Sequence, residues 1–167
     1  MQPLPYLSGY PAATTDAVRR LLAEDRLGAW LLERYPRCHP HRSGKALHAY
    51  AQELKNRFMR QAPPLRKVVY DPRLDVIHKA LGIHHRISRV HGSRVSARNE
   101  IRIATAFRVA PQAFLDMILV HELAHLKVAE HDRAFYRLCL RMDPDYHRRE
   151  LDARIYLTYV ACVGALY

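Results

Sequence analysis

Four residues in one short stretch have the types and the spacing of metal ligands and a general base. The segment ILVHELAHLKVAEHDRAF places His121, Glu122, His125 and His131 in an otherwise apolar sequence. Residues four apart lie on one face of an α-helix, so the imidazoles of His121 and His125 are able to approach one ion. Glu122 is rotated by about 100° from His121, beside the ion, where it accepts a proton from bound water. The pattern predicts a hydrolase that activates water with one Zn²⁺ per chain.

A catalytic zinc site needs a third protein ligand, and two residues are candidates for it. His131 follows the second histidine by six residues, and in a continuous helix it would be rotated by about 240° from it. Asp132 is a suitable N-cap for a following helix, so we expect a break before it that lets His131 turn back towards the ion. Glu150, on a later predicted helix, is the alternative third ligand.

A hydrolase also needs a donor for the charge that develops on the substrate oxygen. Tyr146 or His147 would supply it, because both follow the predicted ligand helices in the turn MDPDYH. We therefore expect Tyr146 to be a possible transition-state donor, although a tyrosine in a turn is commonly a packing residue.

The N-terminal third reads as helical support for these residues. Apolar residues recur at helical spacing from Val18 to Tyr35, after a potential cap at 14–16, and predict one amphipathic helix that ends before Pro36. The same periodicity predicts a second helix over 46–58.

The middle of the chain alternates apolar and polar residues, as strands do. A short strand is predicted at 66–71 and a short helix at 74–82, and the segments 85–91 and 99–105 predict an antiparallel β-hairpin. The second hairpin strand would offer an edge for an extended peptide. Helices, a small antiparallel sheet and further helices together predict an α+β domain.

The last third reads as helical again. Pro111 suits the first turn of the helix that carries the histidines. RAFYRLCLRM, directly after Asp132, predicts the next helix, and a final helix is expected from about 149 to 165. We expect one domain over 1–167, in which 1–64 braces a core formed by 65–167.

Composition restricts the partners and the compartment. The formal net charge is +11 and the pI is about 10.0, which favours non-specific contact with nucleic acid through a basic surface. The local basic cluster is Arg86, Arg89, Arg94, Arg98 and Arg102. Three widely spaced cysteines, no export signal and no long apolar run predict a cytoplasmic protein with no disulfide framework and no membrane span.

Residues 85–150 resemble the YgjP-like metallopeptidase family. The resemblance is carried by HELAHL after an apolar run, by His131 and Phe135 downstream, by RVHGSRVSARNEIRIATAFRVAP before the motif and by MDPDYH after it. It implies a zincin-like domain in which zinc is the metal, His131 is the third ligand and Glu122 is the general base. The expected activity is hydrolysis of peptide bonds in a peptide or protein substrate.

Two further activities are compatible with the same residues. A zinc-dependent nucleotide phosphohydrolase would use the positive charge to hold phosphates. A DNA-associated protease similar to the SprT-type enzymes would use the arginines of the middle segment to hold DNA near a protein target.

Overall fold

The computed structural model describes residues 3–74 and 99–167. In chain order, the helices and strands of this part are α1 (Ala12–Ala23), α2 (Leu27–Arg34), α3 (Gly44–Phe58), β1 (Lys67–Tyr70), β2 (Glu100–Ile103), α4 (Gln112–His125), α5 (Arg133–Met142) and α6 (Tyr146–Cys162). Short 3₁₀ turns follow each strand, at Pro72–Leu74 and Thr105–Val109. Helices with a small sheet confirm the α+β class. None of the helices in the described ranges is long and apolar enough to cross a bilayer.

The N-terminal helical region contains a break that the periodicity did not predict. α1 ends at Ala23 and α2 begins at Leu27, so the prediction of one continuous helix is wrong. Asp25 has a φ of 54°, and the N–H of Arg26 donates to the carbonyl of Leu21 at 2.8 Å. A left-handed residue with this bond ends a helix in a Schellman turn, and aspartate tolerates that conformation better than most residues.

The described sheet is parallel, and not antiparallel as predicted. β1 pairs with β2 in the register from Lys67 opposite Glu100 to Tyr70 opposite Ile103. The strands themselves are confirmed, and both have one buried side. Strand alternation identifies a strand but not its partner, and the long connection between β1 and β2 has the length that a parallel crossover requires.

Several predicted features fall between residues 75 and 98, outside the described residues. They are most of the helix at 74–82, the first hairpin strand at 85–91, and the cluster residues Arg86, Arg89, Arg94 and Arg98. Arg102 is described, on β2, where its guanidinium contacts the carboxylate of Asp71 at 3.0 Å.

α4 is the central helix and is buried on nearly all sides. Its apolar residues between Phe114 and Ala124 are inaccessible to solvent, and it packs against α3, α5, α6 and β2. A helix that is apolar all round is stable only inside a core. The buried apolar side chains from both ends of the chain form one contiguous cluster around it, so α4 is held firmly in the core.

The second half of the fold follows the predicted order with one shift. α5 spans 133–142, and the carboxylate of Asp132 accepts the N–H of Phe135 at 2.9 Å, which confirms the predicted N-cap. α6 begins at Tyr146, earlier than the predicted start near 149. Tyr146 and His147 were predicted to lie in a loop. They lie instead in the first turn of α6.

Candidate metal centre

The end of α4 and the loop after it bring three imidazoles to one point. His121 and His125 are one turn apart on α4, and their Nε2 atoms are 3.1 Å apart. α4 ends at His125, so the chain is free to turn, and Nε2 of His131 lies 3.0 Å from Nε2 of His125 and 3.1 Å from Nε2 of His121. These three residues, called the triad below, form the group in the described chain with the geometry of a metal site.

Glu150, the alternative third ligand, is engaged elsewhere. Its carboxylate accepts hydrogen bonds from Nε and an Nη of Arg154 at 3.2 and 2.9 Å, in a half-buried ion pair on α6. The structure thus places His131, and not Glu150, with His121 and His125.

The outer nitrogen of each helical histidine has a hydrogen-bond partner that orients the ring. Nδ1 of His125 lies 3.0 Å from the carbonyl oxygen of Val128. A carbonyl only accepts, so Nδ1 carries the proton and Nε2 of the neutral ring directs its lone pair into the triad. Nδ1 of His121 lies 2.7 Å from the hydroxyl of Tyr146. Such partners hold metal-binding histidines in the required tautomer.

Tyr146 is placed to orient His121 rather than to contact a substrate. Its side chain is completely buried, and burial raises the pKa of its phenol well above the ordinary value, so the hydroxyl keeps its proton. The hydroxyl contacts the ring nitrogen that points away from the triad. This position does not favour the predicted role of Tyr146 as a transition-state donor.

Phe135 forms the apolar floor of the triad. Its ring centroid lies 5.0, 4.5 and 4.5 Å from those of His121, His125 and His131, and its side chain is completely buried. A rigid ring against all three imidazoles restricts their rotation. In the sequence, Phe135 is part of the family resemblance and is the third residue of the capped helix α5.

The donor set fits a divalent ion of the zinc type. Four-coordinate zinc at about 2.0 to 2.1 Å from each nitrogen separates its ligand atoms by about 3.3 Å, and the triad nitrogens are 3.0 to 3.1 Å apart. Three imidazoles also match the preference of zinc, copper and nickel for nitrogen ligands. Three lone pairs directed at one point repel each other unless a cation lies between them, so the arrangement indicates a metal ion.

Glu122, next to His121 in the sequence, has the chemistry of a general base. It follows His121 directly on α4 and is partly exposed, while its neighbours on the helix are buried. Protein packed around its carboxyl raises its pKa to about 7 by desolvation. A cation in the triad would lower that pKa again, because a nearby positive charge stabilises the carboxylate. The group is therefore suited to exchange a proton near neutral pH.

The sequence of this site is found in known proteins. Residues 21–153 match the family described as YgjP-like, metallopeptidase domain. The chain belongs to the YgjP-like family. The match includes all three triad histidines, Glu122 and Tyr146, as the resemblance in the sequence implied.

A curated relative extends the comparison over nearly the whole chain. The UTP pyrophosphatase of Escherichia coli (strain K12) is 52% identical over 161 residues, which cover 96% of this chain and 96% of the relative. No solved structure matches the chain. The family and the relative together support a hydrolase with a metal site.

Outside the triad, His39 has a clear structural role in this YgjP-like chain. His39 is buried, its Nε2 donates to the carbonyl of Phe107 at 2.7 Å, and its Nδ1 accepts the N–H of His41 at 3.0 Å. These bonds fix the chain ahead of α3 to the turn before α4.

Proposed function

We propose that this protein is a zinc-dependent pyrophosphohydrolase of nucleoside triphosphates, with UTP as its substrate. The observation that carries the proposal is the convergence of the triad beside Glu122 in a chain 52% identical to a protein named UTP pyrophosphatase. The formal net charge of +11 also suits a polyanionic substrate, because the field of a basic protein attracts it over distances beyond direct contact.

The proposed reaction is the hydrolysis of one phosphoanhydride bond. The oxygen of a water molecule forms a bond to the α-phosphorus of UTP, and the bond from that phosphorus to the bridging oxygen breaks. UMP and pyrophosphate are the products, and no oxidant or reductant is involved. A zinc ion in the triad would supply the charge that acidifies water and neutralises phosphate oxygen.

In this proposal, each residue of the site has its own role. His121, His125 and His131 are the ligands. Glu122 takes the proton of the attacking water, because a cation in the triad would favour the ionised form of its carboxyl, which is the form that accepts a proton. Tyr146 keeps His121 in the tautomer that ligation needs, through the contact at 2.7 Å.

Peptide hydrolysis is the second candidate function. The family description names a metallopeptidase domain, and the HExxH arrangement of His121, Glu122 and His125 suits attack of water on a peptide carbonyl as well as on phosphorus. The two reactions require the same base and the same ligands. They differ in what must hold the substrate: cations for a triphosphate, and an extended groove or strand edge for a peptide.

A side-by-side assay separates the two candidates. Purified protein loaded with zinc is incubated with UTP, with the other nucleoside triphosphates, and with an unfolded protein, and the products are separated by anion exchange and by electrophoresis. We expect UMP and pyrophosphate in equal amounts. UDP with phosphate would refute the proposed bond, and cleavage of the unfolded protein without turnover of any nucleotide would assign the peptidase.

The same assay needs a control for contaminating phosphatases. A His131→Ala variant purified in parallel loses one of the three ligands, so its UTP hydrolysis should fall to background. Metal analysis of the protein as isolated tests zinc, for which we expect about one equivalent per chain. Equal turnover by the variant would show that the activity does not come from the triad.

A further inference from the structure

A cavity lies beside the triad, on the outer side of α5. Its volume is about 400 Å³, and the residues that line it are Arg133, Tyr136, Arg137, Leu140 and His147. Cavities of this size are within the range that holds small ligands. None of these side chains has a role in the chemistry described above, so the cavity needs an explanation of its own.

Tyr136 connects the cavity to the triad. Its ring is stacked on that of His131, with centroids 6.3 Å apart and an interplanar angle of 29°. On the cavity side, the same ring lies 5.3 Å from that of His147. Desolvation and the charge of Glu150 raise the pKa of the Tyr136 phenol, so its hydroxyl remains a hydrogen-bond donor. A small molecule in the cavity would therefore lie close to His131, a member of the triad.

The two arginines of the cavity are available for a ligand. Arg133 and Arg137 are one turn apart on α5 and exposed to solvent. Among the residues that the structure describes, no carboxylate lies within ion-pair distance of either guanidinium.

The arginines of the neighbouring helix differ in this respect. Arg148, Arg149 and Arg154 on α6 each contact a carboxylate at 2.9 to 3.1 Å. These three guanidiniums are therefore already paired within the protein. Within the described residues, Arg133 and Arg137 have no such carboxylate partner, so both guanidiniums remain for an anion from solution.

We propose that this cavity binds the β- and γ-phosphates of the nucleoside triphosphate, which leave together as pyrophosphate. The inference rests on the proposed function. Arg133 and Arg137 each present a planar set of N–H donors that matches two phosphate oxygens, and their spacing by one helical turn suits two successive phosphates. Tyr136 and His147 add donors at the side that faces the triad. The scissile bond then lies between the cavity and the ion.

This arrangement distinguishes a triphosphate from a peptide. A peptide bond brings no negative charge to the cavity, so Arg133 and Arg137 would contribute nothing to its hydrolysis. For the triphosphate they would hold the leaving group and neutralise the charge that develops on it as the bond breaks.

The test is a binding measurement with inorganic pyrophosphate and, separately, with UMP. Titration calorimetry compares the wild-type protein with Arg133→Gln and Arg137→Gln, each with and without zinc. The control is Arg141→Gln, which removes the same charge from an exposed position of α5 outside the cavity lining. We expect each cavity variant to weaken pyrophosphate binding about tenfold, with UMP binding and the control unchanged.

The outcomes separate this inference from the proposed function. The assigned subsite is wrong if Arg141→Gln weakens pyrophosphate binding as much as the cavity variants do. It is also wrong if the cavity variants weaken UMP binding instead, or if the wild-type protein binds no pyrophosphate. If the cavity variants lose pyrophosphate binding while wild-type protein hydrolyses no nucleotide, the subsite stands and the proposed reaction fails. If both cavity variants hydrolyse UTP at the normal rate with an unchanged KM, the proposed reaction stands and the subsite is refuted.

Discussion

At the scale of single residues, the site depends on fixed imidazoles more than on their number. His121 and His125 each use the outer nitrogen for a hydrogen bond, to the hydroxyl of Tyr146 and to the carbonyl of Val128. Phe135 packs against all three rings of the triad. Histidines held in this way need little reorganisation to bind an ion, which favours tight binding.

The first residue-scale prediction concerns Glu122 as the base. Glu122→Gln keeps the size of the side chain and removes its ability to accept a proton. We expect kcat to fall by about 10²- to 10⁴-fold, the usual contribution of general base catalysis, with bound zinc unchanged. Steady-state kinetics and metal analysis of the same preparation check both parts. A variant with near-normal kcat would exclude Glu122 as the base.

The second residue-scale prediction concerns Tyr146 as the partner of His121. Tyr146→Phe removes the hydroxyl and little else, and we expect zinc affinity to fall by about 10- to 100-fold, as for other residues that orient a ligand histidine. Competition with a chromophoric chelator measures this affinity. If Tyr146 were instead a transition-state donor, kcat would fall and zinc affinity would not.

A matched control separates orientation from general loss of stability. Tyr50 also donates a short hydrogen bond, of 2.6 Å, to Asp116 on α4, but far along that helix from the triad. Tyr50→Phe should reduce the free energy of unfolding by about 1 kcal/mol and leave zinc affinity as it is. Equal loss of affinity in both variants would show that the effect of Tyr146 is not local.

At the scale of elements, the site is the junction between two helices. α4 carries two ligands, ends at His125, and is followed by a loop that brings His131 back before Asp132 starts α5. The cap and the third ligand are adjacent residues, so the conformation of the junction and the position of His131 are coupled.

Asp132→Ala tests this coupling. The change removes the acceptor for the N–H of Phe135, at 2.9 Å, and should cost about 0.5 to 2 kcal/mol of unfolding free energy. Because His131 precedes the cap directly, we also expect weaker zinc binding. Denaturant unfolding with chelator present and a zinc titration measure the two effects.

Ser43→Ala is the control for this variant. Ser43 caps α3 in the same way, accepting the N–H of Ala46 at 3.1 Å, and α3 carries no member of the triad. The two variants should lose similar stability, and only Asp132→Ala should lose zinc affinity. Unchanged zinc binding in Asp132→Ala would mean that the loop holds His131 without the help of the cap.

Local chemistry explains what the sequence predicted at this scale. The spacing of His121 and His125, the capping chemistry of Asp132 and the apolar face of α5 all act within a few residues, so they can be read directly from the chain. Helix geometry predicted the pair His121 and His125, and the break expected before Asp132 made His131 a candidate beside Glu150, which the family resemblance then favoured.

The errors come from contacts between distant residues and from one unusual backbone conformation. β2 pairs with β1 across a long connection, and nothing in the sequence near β2 indicates that pairing. The left-handed conformation of Asp25 ends the helix, although the apolar residues keep their helical spacing on both sides of it. The contact of Tyr146 with His121 joins residues 25 positions apart, and the sequence gives no sign of it.

At the scale of the whole molecule, the metal centre is continuous with the hydrophobic core. His121 is 4% exposed and Phe135 is completely buried, and both adjoin the cluster of apolar side chains that fills the molecule. An ion bound here would contact residues from the junction of α4 and α5, and through Tyr146 it would be linked to α6. Binding of the metal and folding should therefore be coupled.

This coupling gives the last prediction. Zinc that binds the folded chain and not the unfolded chain stabilises it by RT ln(1 + [Zn]/Kd), which is about 2.7 kcal/mol at a hundredfold excess over Kd, or about 5 to 10 °C in the melting temperature for a chain of this size. Differential scanning calorimetry with zinc and with chelator measures the shift. His131→Ala should lose most of it, whereas His48→Ala, on α3 and outside the triad, should keep it. A shift of equal size in both variants would mean that zinc stabilises the protein at another site, because only the first substitution removes a ligand.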